Sequence, residues 1–209
     1  MENLRDLAVC EFLERLGSDA PAPGGGAVAA LAGAQAAALV AMVARITVAR
    51  KGQEAADLRD TLDRAGMLSR ELATLVDRDT EAFLEVMSAY RLPKTDAGRS
   101  GAIQSALRQA AVIPLEVARR SVEVMDLARM AVERGISSAR TDAAVALLMA
   151  RAALEGAALN VLVNLAALKD REFVRETAWE VTELRARAGE SAKLVDAVFS
   201  GLQDGLPGV

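Results

Sequence analysis

Apolar residues recur at helical spacing along almost the whole chain. Val9, Phe12, Leu13 and Leu16 stand at i, i+3, i+4 and i+7, which predicts a short amphipathic helix ended by Gly17. In Ser18-Asp19-Ala20-Pro21-Ala22-Pro23-Gly24-Gly25-Gly26 the prolines bar a helix, and the glycines permit a tight path into the next one. A second helix is predicted from about Ala27 to about Arg50. A third runs from about Glu54 to Tyr90 on the stripe Leu58, Leu62, Ala65, Leu68, Leu72, Leu75, Val76, Phe83 and Val86, and Leu92-Pro93 ends it. Thr95-Asp96 can cap a fourth, from about Ala97 to Arg134, with a kink expected at Pro114 and a stop at Gly135. A fifth reads from about Thr141 to Leu168. A sixth reads from about Asp170 to Leu202, with Phe173, Ala178, Val181, Leu184, Leu194, Val195, Val198 and Leu202 inward and a bend at Gly189. No alternating strand pattern interrupts the series. The expected fold is all-α, one bundle of about six helices over residues 1–209.

The second and fifth helices are apolar nearly all round, so each lies either at the centre of the bundle or under a second subunit. Ala29, Gly33, Ala37 and Ala41 form a smooth ridge where another helix can approach closely. That ridge favours a homodimer formed through the second or fifth helix. Ala27 to Val43 is interrupted only by Gln35, but it is shorter than the ~20 apolar residues of a membrane span. It is Ala-rich and runs on into Arg45 and Arg50, so no membrane association is expected.

Composition narrows the chemistry. Hydrophobic residues make up 52% of the 209 and aromatics only 3%, which suits close-packed helices. The net charge of −4 argues against nucleic acid as a partner. One cysteine, Cys10, excludes an intrachain disulfide and a CxxC metal site, and is expected to be a small buried hydrophobe beside the first apolar stripe. The N-terminus shows no signal-peptide order, so a cytoplasmic location is expected. Histidine is absent, which rules out Ser-His-Asp and Cys-His catalysis and His-ligated metal. Acid–base work then falls to Asp, Glu, Lys, Tyr or Cys.

Asp79 lies within the apolar stripe of the third helix, where a carboxylate must be paired, hydrogen-bonded or functional. The structural alternatives are an arginine ion pair or a cap on a neighbouring helix. Asn160 and Asn164 share one helix face among apolar neighbours, so their amides need a polar ligand or each other across a dimer axis. Asp142 shares their angular stripe but is ~27 Å away along the helix. It can meet a site only through another helix or subunit, and it also reads as a helix-start residue. Arg151 and Glu155 read as a salt bridge. The Pro-Gly-Gly-Gly loop either receives an anion at a helix end or is simply a turn. Arg45, Arg50 and Lys51 either complement the helix dipole or hold a carboxylate-bearing ligand.

Ser18 to Lys51, SDAPAPGGGAVAALAGAQAAALVAMVARITVARK, resembles the opening of the formiminotransferase–cyclodeaminase C-terminal domain family, whose free-standing bacterial members include methenyltetrahydrofolate cyclohydrolases. Asp79 with Ala82-Phe83, Ile113-Pro114-Leu115, Ala158-Leu159-Asn160-Val161 through Asn164, and Tyr90-Arg91-Leu92-Pro93-Lys94 are similar to further family segments in the family order. Three segments depart from the pattern. Arg45 replaces an Asn, Ala49-Arg50-Lys51-Gly52-Gln53 replaces Gly-Lys-Lys-Lys-Tyr, and Gly135-Ile136-Ser137-Ser138-Ala139-Arg140-Thr141-Asp142 keeps the Asp without two family asparagines.

The resemblance implies hydrolysis of methenyltetrahydrofolate to the 10-formyl compound. The alternatives are formiminotetrahydrofolate cyclodeamination, or a diverged non-catalytic folate-binding or scaffold dimer. It implies Asp79, Asp142 and Lys51 as catalytic residues and Pro23, Gly24, Gly25, Gly26, Thr47, Asn160 and Asn164 as substrate-binding residues. No metal and no cofactor beyond the folate substrate is expected. The chemistry suits a histidine-free site, because the substrate is an amidinium already activated toward water.

Overall fold

A computed structural model describes residues 3–204. Among the described residues seven α-helices follow one another: α1 (Val9–Leu16), α2 (Gly25–Lys51), α3 (Asp57–Arg91), α4 (Arg99–Arg134), α5 (Arg140–Leu165), α6 (Arg171–Arg187) and α7 (Ser191–Gln203). Short 3₁₀ turns fill several connections, and no strand occurs among the described residues. The long helices α2, α3, α4 and α5 close a four-helix ring in that order, and α6 and α7 pack outside on α4 and α5.

The all-α expectation holds, with one more helix than expected. The predicted sixth helix is two, because a 3₁₀ turn at Ala188–Glu190 separates α6 from α7 at Gly189. α4 is continuous through Pro114, and a kink there is not confirmed. Its first turn is not capped by Thr95 or Asp96 in the N-cap position, which is Gly98; Asp96 Oδ1 instead accepts the Gly98 N–H at 2.7 Å. Asp170 caps α6, its Oδ1 accepting the Phe173 N–H at 3.1 Å. Its other oxygen pairs with Arg108 Nη1 at 2.8 Å.

The small-residue ridge works inside the chain. Ala29, Gly33, Ala37 and Ala41 are all buried. A Cβ on Gly33 would lie 3.3 Å from Leu72 and 3.4 Å from the Ala153 Cβ, and one on Gly156 would lie 3.2 Å from the Ala29 Cβ. Small residues therefore seat α2 against α3 and α5, and the expectation that this ridge forms a dimer contact is overturned. α2 and α5 are long and apolar enough to cross a membrane by length and composition. In the bundle, most of α2 is spent on its neighbours.

Other side chains also lie elsewhere than expected. Cys10 is exposed, since α1 buries only Phe12 fully while Val9 and Leu13 face outward. Leu202 is exposed near the end of α7, whereas Val195 and Val198 are buried. Glu155 pairs with Arg185 of α6 at 2.6 Å, so the predicted in-helix partner Arg151 is replaced by a tertiary one. Outside the core, Arg64, Glu71, Glu116, Arg120 and Glu123 form an ion-pair network joining α3 to α4. Each pair is partly exposed and worth little alone.

Gly33→Leu is expected to overpack the α2–α3–α5 contact and cost about 1–3 kcal/mol or more. Urea unfolding should show a lowered midpoint with an unchanged slope. A wild-type midpoint would mean that the interior can yield at this position.

Candidate active site

The first helical N–H groups of α2 have no intrahelical acceptor, and its N-cap residue, Gly24, has no side chain to offer one. Asp79 of α3 takes that place, accepting the Ala27 N–H. The carboxylate comes so close that a Cβ on Gly26 would fall 2.1 Å from Asp79 Oδ1 and 2.5 Å from its Cγ. Only glycine fits there. The other two glycines are not under the same demand: a Cβ on Gly24 would meet nothing within 4 Å, and one on Gly25 only the Asn160 amide at 3.4 Å. The anion at this helix end is thus a side chain of the protein itself. Of the alternatives open at the sequence level for Asp79, the cap on a neighbouring helix is the one observed. Burial pushes its pKa from 3.8 up to about 6, against the lowering effect of the Ala27 N–H.

Beside Asp79 opens a cavity of about 320 Å³. Gly24–Gly26 and the Pro21-Ala22 loop form one side, and Asp79, Thr80, Phe83 and Val86 of α3 another. Ala110 of α4 and Asn160, Val163 and Asn164 of α5 complete it. Phe83, read from the sequence as a core residue, is 39% exposed because it faces this cavity. Pro23 is buried just behind the rim.

Both asparagine amides are anchored through nitrogen. Asn160 Nδ2 donates to the Gly156 carbonyl at 2.9 Å, and Asn164 Nδ2 donates to the Ala110 and Asn160 carbonyls, each at 2.8 Å. Carbonyl acceptors fix which end of each amide is which, since an amide oxygen cannot take the place of the donor. Neither amide oxygen has a hydrogen-bond partner among the described residues. The cavity is therefore lined by a carboxylate, two amides whose oxygens are unpartnered and apolar walls, with no lysine or arginine among its described lining. Thr80, which sequence reasoning missed, separates it from a second cavity of about 280 Å³ around Asp77 and Leu84. Its hydroxyl is buried without a partner among the described residues, and nothing in the local sequence signals this.

The remaining predicted residues lie at the other end of the bundle. Lys51 is about 39 Å along α2 from Gly25. It is exposed, with Nζ 3.4 Å from the Arg134 carbonyl. Asp142 stands in the first turn of α5, ~27 Å from Asn160. Thr47 is fully buried; its hydroxyl donates to the Val43 carbonyl at 2.7 Å and accepts the Ile136 N–H at 3.1 Å, tying α2 to the turn before α5. The chain therefore brings Asp79, Gly24–Gly26, Asn160 and Asn164 together and leaves Lys51, Asp142 and Thr47 apart from them.

Comparisons with known proteins place this helical bundle in a folate-processing class of enzymes. The chain belongs to the formiminotransferase-cyclodeaminase family, whose model matches residues 8–183. It is 46% identical over 184 residues to a methenyltetrahydrofolate cyclohydrolase of Methylorubrum extorquens, covering 85% of this chain and 88% of that protein. It is 32% identical over 200 residues to the formimidoyltransferase-cyclodeaminase of Rattus norvegicus, a match that spans 93% of this chain but 37% of the rat protein. The crystal structure of a formiminotetrahydrofolate cyclodeaminase from Thermotoga maritima superposes with a TM-score of 0.87 at 29% identity, covering 96% of this chain and 99% of that one.

The shift of Asp79 makes a stability prediction. A carboxyl raised from 3.8 to about 6 on folding contributes stability that is full below about pH 4 and is lost as pH rises through about 6. Asp79→Asn keeps an oxygen for the Ala27 N–H but cannot ionise. The variant is expected to lose this slope and to be at least as stable as wild type at about pH 7. Urea titrations across that pH range measure it; an unchanged slope would place the shift on another group.

Proposed function

We propose that the chain hydrolyses methenyltetrahydrofolate to 10-formyltetrahydrofolate, with Asp79 as the acid–base group. The observation that carries this reading is the lining of the cavity: one carboxylate and two asparagines whose amide oxygens have no partner among the described residues, with no lysine or arginine in the described lining. Such a lining suits a flat cation rich in N–H donors. Phe83, Val86 and Val163 offer it apolar faces, Asp79 lowers the energy of the amidinium, and Asn160 and Asn164 accept from the pterin edge. With a pKa of about 6, Asp79 is largely ionised at neutral pH yet close enough to pH 7 to return a proton. It takes a proton from water as the oxygen attacks the amidinium carbon. It then gives that proton to the ring nitrogen as the carbon–nitrogen bond breaks and the hydroxyl proton leaves to form the formyl group. The 46% identical cyclohydrolase supports hydrolysis ahead of cyclodeamination.

The same reading includes a homodimer. Val145, Leu148, Leu159 and Leu162 leave one face of α5 exposed and apolar. α2 and α5 run antiparallel, since Gly25 lies beside Asn160 and Thr47 bonds Ile136. A two-fold axis lying in this face across the helices lays the partner's Lys51–Asp142 end over the cavity of the first subunit. Lys51 then meets the anionic tail of the substrate, and Asp142 supplies a second carboxylate. The site is cytoplasmic and uses no metal in this reading.

Wild-type protein should accelerate loss of the near-ultraviolet absorbance of methenyltetrahydrofolate over the spontaneous rate. Asp79→Asn should remain folded and lose at least ~100-fold in turnover. Full activity in that variant would remove Asp79 from the chemistry, and ammonia release from formiminotetrahydrofolate would instead favour the deaminase. The shared site has its own test. Lys51→Met and Asp79→Asn, each impaired alone, should regain about a quarter of wild-type activity when unfolded together and co-refolded, because one site in four is then intact. No recovery, with heterodimers present, would exclude a contribution of the partner's Lys51.

A further inference from the structure

Pro114 lies in the middle of α4, buried and outside the cavity lining. It has no N–H, so the carbonyl four residues back, that of Ala110, has no helical donor. Ala110 is itself 7% exposed and forms part of the cavity wall. A buried carbonyl there requires a donor from elsewhere. It receives one from α5: Asn164 Nδ2 donates to it at 2.8 Å. The second proton of the same NH₂ group goes to the Asn160 carbonyl, also at 2.8 Å. With both protons committed, the amide cannot rotate by half a turn without setting its oxygen against two carbonyl oxygens. The Asn164 oxygen is thereby fixed as the free end of the amide, in a residue that lines the cavity.

We infer that Pro114 is a positioning residue for the site: the carbonyl it leaves free on Ala110 orients the Asn164 amide, and so makes the α5 side of the cavity an acceptor surface. Without the proline, the Ala110 carbonyl bonds the restored N–H of residue 114 and the amide keeps one anchor instead of two. It can then turn its NH₂ toward a ligand that brings donors of its own, which is the wrong polarity. The inference deepens the folate reading above in that it names what selects a donor-bearing substrate edge. The clamp itself stands on the geometry alone.

Two readouts decide it. Pro114→Ala restores the N–H; Pro114→Val does the same while keeping more of the buried volume, which controls for a cavity. Both should raise KM for methenyltetrahydrofolate about five- to twenty-fold with kcat within about two-fold of wild type, and neither should lower the melting temperature as a disrupted helix would. The second readout is independent of activity. The Asn164 side-chain amide protons, followed by NMR in isotopically labelled protein, should exchange slowly in the wild type and at least about ten-fold faster in both proline variants. Asn164→Ala should lower the denaturation midpoint in the wild-type background, where it strands the Ala110 carbonyl, and lower it much less in the Pro114→Ala background. Unchanged exchange together with additive midpoints overturns the clamp. Faster exchange with an unchanged KM overturns its role in the site. If the wild type turns over neither folate, the functional reading falls, and the exchange and additivity measurements still decide the clamp.

Discussion

The meeting of Asp79 with the start of α2 is the contact on which the rest of this site depends. A 27-residue apolar helix begins at a glycine that cannot cap it. The cap comes from another helix, 52 residues later in the chain as counted from Ala27 to Asp79. That single carboxylate satisfies a backbone donor, locks the register of α2 against α3, and stands in a cavity where burial holds its pKa near neutrality. Gly26 is the condition for all three, since any side chain there would occupy the volume of the carboxylate. Burial and capping act in opposite directions on the proton: desolvation favours the neutral acid, while the N–H favours the anion. Their balance gives a group able both to accept and to donate a proton without histidine.

The asparagines show the same economy. Each amide nitrogen satisfies a backbone carbonyl within or between helices, and each oxygen is left without a partner among the described residues. Structural and recognition duties are divided between the two ends of one functional group. The departures from the family pattern at Arg45, Ala49–Gln53 and Ile136–Ser138 all lie at the opposite end of the bundle. The residues that line the cavity are thus remote from those segments.

Much of the fold was legible because the helices are long and their apolar stripes regular. Glycine and proline punctuation located the ends of α1, α3 and α4 to within a few residues. The misses have local causes. Gly189 looked like a bend within one helix, but an intervening 3₁₀ turn makes two, a choice among helical geometries that differ little in local sequence. The ridge Ala29-Gly33-Ala37-Ala41 announced a close helix contact correctly but not with which partner, because a smooth surface specifies distance and not identity. Phe83 fitted the apolar stripe of α3, yet it faces a cavity, since periodicity reports direction around a helix and not what fills the space beyond.

The sequence by itself determined an all-helical chain, the histidine-free character of its chemistry, and the carboxylate and amides with which any site would be built. Periodicity and composition are local properties, and they suffice for this. Only the tertiary structure decided which of those residues meet. It placed Asp79 against Gly26 and Ala27, joined Asn164 to a carbonyl freed 50 residues earlier by the count from Pro114, and left Lys51, Thr47 and Asp142 at the far end. These are contacts between helices distant in sequence. They arise from crossing geometry and the competition of buried polar groups for partners, and no window along the chain contains both sides of that competition.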